Sequence, residues 1–184
     1  MTTTVAEPGI ATTASTLRRL YFVRFGFALI WAIVMIPLAK DLNPLVTTLL
    51  VLYPLFDVAA AVVDARASRA TGSPALLYVN VVISLLAAGG LAVASDIPAV
   101  LRVWGAWAVV AGLVQLIVGV TRRRRLGGQW PMIISGGLSV VAGGSFIAGA
   151  SAADPSLTNA VGYAIPGAIF FLIAAIRLGK TARA

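Results

Sequence analysis

Six long apolar stretches alternate with short polar breaks along this chain. They run from about Leu20 to Ala39, Pro44 to Val63, Pro74 to Ala94, Pro98 to Val120, Gln129 to Ala150 and Leu157 to Leu178. Each is about 20 residues or slightly longer, the length an α-helix needs to cross the hydrocarbon core of a bilayer. Lys40-Asp41, Asp64 with Arg66, Ser95-Asp96 and the run Arg122 to Arg125 close four of them. Pro44, Pro74 and Pro98 stand near helix starts, where a missing N–H does no harm. The pattern predicts an all-α membrane protein with six transmembrane helices. Met1 to Thr16 is rich in Thr, Ala and Ser and lacks both a positive start and an apolar core. It reads as a flexible cytoplasmic tail and not as a signal peptide. Residues 17–184 then form a single six-helix transmembrane domain.

The cations give the pattern a direction. Arg18, Arg19, Arg24, Arg66, Arg69, Arg122 to Arg125, Arg177, Lys180 and Arg183 all fall on one side of a six-span layout, and only Lys40 and Arg102 fall on the other. Lys and Arg accumulate on the cytoplasmic side, so both termini are predicted to be cytoplasmic. Asp41, Asp96 and Asp154 then occupy the short outer loops.

Composition supports lipid as the solvent. With 60% hydrophobic and 11% charged residues, the chain has too little charge to coat a soluble domain of 184 residues. It contains no Cys and no His, which excludes disulfides, Cys/His metal sites and His-based proton relays. A net charge of +8 would point to nucleic acid in a soluble protein. Here it is a sidedness signal that also attracts the anionic inner leaflet, so no nucleic acid partner is predicted. Arg122, Arg123, Arg124 and Arg125 are candidate lipid-headgroup contacts. No hydrolase elbow, phosphate loop, HExxH helix or CxxC pair is present, so neither catalytic residues, a metal nor a cofactor is predicted.

A shift of 55 residues aligns parts of the chain with one another. Asp41 falls on Asp96, Arg69 on Arg124, Asp57 on Gly112, and Gly112 on Gly167. Tyr53-Pro-Leu-Phe-Asp57 also resembles Tyr163-Ala-Ile-Pro-Gly167. The layout reads as three parallel helical hairpins, about 20–66, 75–121 and 130–177. The segment Gly128-Gln-Trp-Pro-Met-Ile-Ile-Ser-Gly-Gly-Leu-Ser-Val-Val-Ala-Gly-Gly144, taken with three short hairpins, resembles the HdeD-type short-repeat membrane proteins of bacteria. That resemblance implies a multi-pass protein of the bacterial inner membrane, linked to stress or acid tolerance. It carries over no catalytic residue.

Asp57 lies well inside the second span, about 12 Å from its cytoplasmic end. A lone carboxylate at that depth costs about 2.5 kcal/mol or more, so it faces the bundle interior, takes a partner or stays protonated. Asn80 in the third span and Gln115 in the fourth lie at similar depth, with Tyr53 and Tyr78 close in sequence. These five form a candidate polar layer, which is either a site for an ion, proton or small solute or simply polar glue between helices. Arg24, Asp64, Arg102 and the tryptophans Trp104, Trp107 and Trp130 read as interfacial anchors. Pro54 and Pro166 should each kink a helix.

Small residues mark packing faces. Ser135, Ser139 and Gly143 are spaced by four, as are Ala160, Ala164 and Ala168, while Ala108 and Gly112 precede Gly119; Gly167 joins them through the repeat. The predicted partners are the bilayer, anionic lipid at the cytoplasmic face, and either a second copy or another membrane protein on these stripes. Three functions stay open: a stress- or acid-tolerance membrane protein, a small transporter or channel using the layer around Asp57, and an accessory membrane subunit.

Overall fold

A computed structural model describes residues 8–69 and 74–181. Their helices are α1 (Pro8–Met35), α2 (Pro44–Ser68), α3 (Ala75–Val93), α4 (Ile97–Leu126), α5 (Trp130–Gly149), α6 (Thr158–Gly162) and α7 (Ala164–Thr181), and the described residues contain no strand. Four of these helices, and the α6–α7 segment from Thr158 to Gly179, are long and apolar enough to cross a membrane. Helix α1 is also long enough but carries Arg18, Arg19 and Arg24 in its middle. Large apolar side chains cover the outside: Ile30, Leu86, Val93 and Val141 are 65–82% exposed. A surface of that kind is stable against lipid tails and not against water.

The predicted flexible tail is corrected from Pro8 onward. Residues 8–16 are the first turns of α1. Ala14 and Leu17 are fully buried in a cluster with Leu126, Met132 and Leu178, and the Thr13 hydroxyl donates to the Ala67 carbonyl at 3.2 Å. The Thr- and Ala-rich composition hid an apolar face spaced at helical period. Residues 1–7 of that tail, and Arg183, lie outside the described residues.

Local signals set several boundaries. Asn43 caps α2 by accepting the Val46 N–H at 3.0 Å, and Asp96 caps α4 by accepting the Ala99 N–H at 2.7 Å; each is followed by Pro in the first turn. The two internal prolines behave differently. Helix α2 runs unbroken through Pro54. The last span breaks after Gly162, four residues before Pro166, where the proline ring leaves no room and no N–H for the i−4 carbonyl.

The helices close into a ring in the order α1, α2, α3, α4, α5, α7. Packing is tightest for α4 with α5, α1 with α7, and α2 with α3, so the helices joined by the outer turns of the predicted hairpins are not the most intimate neighbours. Glycine explains the α4–α5 contact. A Cβ on Gly112 would sit 2.8 Å from the Gly136 carbonyl oxygen, and one on Gly143 would sit 2.5 Å from that of Gly105. In lipid, such backbone approach supplies the dispersion contact that apolar burial cannot. Gly119 meets Ile133 on the same face, and Ser135, Ser139, Ala164 and Ala168 are buried or half-buried. Gly167 is a correction: a Cβ there meets nothing within 4 Å, because this residue borders a cavity and not a helix.

Candidate functional site

Helix α2 turns a narrow polar stripe inward. Asp57 and Asp64 stand seven residues apart, two helical turns, so both project from one buried face. Each meets an arginine from a different helix. Arg24 of α1 places Nη2 2.8 Å from Asp57 Oδ1. Arg122 of α4 grips Asp64 with both ends of its fork, at 3.1 and 2.7 Å. Arg24 and Asp64 are therefore not interfacial anchors. Arg122 is not a headgroup contact: its ionic partner lies inside the bundle.

Asn80 joins the predicted layer directly, its Nδ2 donating to Asp57 Oδ2 at 2.6 Å. Ser84, one turn further along α3, donates to the same oxygen at 2.9 Å and itself accepts from Trp107 Nε1 at 3.0 Å. The Asp57 carboxylate thus receives one charged and two neutral donors from α1 and α3. That set replaces hydration around a buried anion. The guanidinium of Arg24 also lies over the Phe171 ring of α7, 5.1 Å from its centroid, and its buried Nε–H finds no acceptor.

Two of the predicted members stand apart from the hydrogen-bonded group. Gln115 lines the same interior but spends its Nε2–H on the Met132 carbonyl at 3.0 Å. Tyr78 faces outward, and its hydroxyl accepts from Arg69 at 2.7 Å. Two residues on, Asn80 sits on the opposite face of the same helix turn. Tyr53 belongs to an aromatic group instead, packing edge-on against Phe27, Trp31, Trp104 and Trp107. Trp104 is a core residue at 4% exposure, whereas Trp130 is 56% exposed, as a belt residue is. Arg123 and Arg124 are exposed.

Two cavities flank the Arg24–Asp57 pair. The smaller, about 60 Å³, lies toward the arginine-rich end and also touches Asp64, Tyr21 and Gln129, whose buried Oε1 is unpaired. The larger, about 110 Å³, lies on the other side among Tyr53, Trp104, Trp107 and Tyr163. Each has room for several water molecules. Asp57, Gly112 and Gly167, the three positions aligned by the 55-residue shift, all border the larger cavity. Residues 97–148 match a family described as a short repeat of unknown function (DUF308). The match spans α4 and α5, the glycine-packed pair, and is consistent with the short-repeat membrane resemblance. The chain matches no curated protein and no solved structure.

Sequence reasoning missed Ser84 and Trp107 in this group and misread Arg24. The available signal was charge: Arg24 and Asp57 are opposite charges set inside two successive spans. Lipid disfavours leaving either alone.

Proposed function

We propose that this chain is a small transporter or channel whose solute site is built around the Arg24–Asp57 pair. The observation that supports it is the pair's position, in the interior between an inner polar cavity and a larger aromatic cavity. A purely structural ion pair gains from being sealed and fully coordinated. This one borders open space on two sides and keeps an unspent donor. Six spans with both termini cytoplasmic fit the cation distribution, with the smaller cavity facing the cytoplasm. The matched repeat supports an HdeD-type protein of the bacterial inner membrane, and a role in stress tolerance would follow from solute movement across that membrane.

Stopped-flow swelling of proteoliposomes in isosmotic gradients of small solutes tests the reading. Reconstituted protein should speed swelling for at least one solute class, and Asp57→Asn should slow it. Rates equal to those of protein-free vesicles for every solute would sink the proposal. Topology has a separate check, because the chain lacks Cys: a cysteine introduced at Arg124 should react with an impermeant maleimide only from the cytoplasmic side.

A further inference from the structure

The hydrogen-bonding capacity left at the site points to the class of solute, and this step rests on the transport reading above. Both oxygens of Asp57 are engaged: Oδ1 by Arg24, Oδ2 by Asn80 and Ser84. The carboxylate has little left to offer a cation. Arg24 is in the reverse position. A guanidinium has five N–H donors, yet among the described residues its hydrogen-bonding partner is the one carboxylate of Asp57, and the side chain keeps 15% exposure beside the two cavities it lines. The surplus is of donors, so the group the site lacks is an acceptor, best an oxyanion that a guanidinium can meet with two parallel bonds.

The cavity walls describe the rest of the molecule. Phe27, Tyr53, Phe56, Trp104 and Trp107 line the larger cavity. Phe27 stacks on Phe56 at 3.8 Å, and the other rings meet edge-on. The small residues Ala108, Ala111, Gly112, Ala164 and Gly167 also line the cavity. A cavity so lined accepts a compact apolar body, and its volume of about 110 Å³ is well below that of a drug-sized pocket. Arg24 and Asp57 border it as well.

We propose that the larger cavity takes a compact organic monoanion, its carboxylate on Arg24 and its short apolar or single-ring body against the aromatic and small residues that line it. Asn80 and Ser84 hold Asp57 from the other side, so the arginine can turn a second edge to the ligand without releasing its first partner.

Scintillation proximity with radiolabelled benzoate on detergent-purified full-length chain tests this, with benzyl alcohol and benzylamine as competitors of the same shape. Saturable benzoate binding is expected, displaced at least tenfold more weakly by either competitor. Gly167→Leu extends into the cavity from a position where an added Cβ meets nothing within 4 Å, so it should fold normally and weaken binding at least tenfold. The double variant Arg24→Gln/Asp57→Asn keeps the site neutral and should do the same. Benzoate binding unchanged in both variants would overturn the assignment. If benzylamine or benzyl alcohol binds better than benzoate, the anion class is wrong while the solute site stands. If none of the three binds and no solute swells the vesicles, the transport reading falls with it.

Discussion

The two carboxylates of α2 sit two turns apart, each beside an arginine, and the surroundings of the two pairs differ. Asp64 is held bidentately by Arg122, and Ser68 closes the group by donating to Asp64 at 3.0 Å and accepting from Arg122 at 2.7 Å. Asp57 is held by a single guanidinium nitrogen, with Asn80 and Ser84 supplying the remaining donors and cavities on two sides. The first arrangement is a clamp that ties α2 to α4. The second leaves part of its arginine uncommitted. Charge content alone does not separate a structural pair from a binding site; the satisfaction of each donor and acceptor does.

The largest effect should come from breaking the clamp. Asp64→Ala strands Arg122 among buried neighbours and should cost about 3–5 kcal/mol. Unfolding in mixed SDS and maltoside micelles, followed by tryptophan fluorescence, measures it. Adding Arg122→Met should restore most of the loss; no rescue would mean that Asp64 acts through something other than the pair. Asp57→Asn should cost less, about 1–2 kcal/mol, because water in the adjoining cavities can solvate Arg24. Its main effect should be on solute-driven swelling. If it destabilises as strongly as Asp64→Ala, the contrast between clamp and site collapses.

Ser84→Ala removes one of three donors to Asp57 and the acceptor of Trp107 Nε1–H. About 1 kcal/mol should be lost, with a shift in tryptophan emission. An unchanged spectrum would count against the Trp107–Ser84–Asp57 chain. The smallest effect belongs to Arg123→Gln combined with Arg124→Gln. Both side chains are exposed, so the unfolding midpoint should not move. A large drop would show that the arginine run, and not only Arg122, braces the helices.

The matched repeat adds a second contrast. The region that matches the short repeat, α4 with α5, is joined by glycine-to-backbone contact. The region that carries the charged site, α1 through α3, is joined by side-chain hydrogen bonds and an ion pair. One half is held by small residues against backbone, the other by polar side chains around a charged pair. Glycine spacing in the sequence pointed to the first. Asp57 and Asn80, at similar depth in neighbouring spans, pointed to the second, and they meet at 2.6 Å.

Helix positions were legible because lipid imposes length and polarity on any segment that crosses it. From Pro44 onward, each apolar stretch became a helix or, at Pro166, a broken one. The buried face carrying Ala14 was hidden because its residues are mostly small and its partners are remote in sequence. The neighbours of each helix were not legible either. Hydropathy is nearly blind to which apolar helix packs on which, since lipid tails attract them all alike. Only the closed ring brought Arg24 to Asp57, turned Tyr78 outward, set Gly167 beside space, and gave Arg122 to Asp64. The sequence by itself determined that the charges lie within apolar spans. The tertiary structure decided which of them neutralise one another and which keep a donor free, because that depends on distances between helices that no periodicity along one helix encodes.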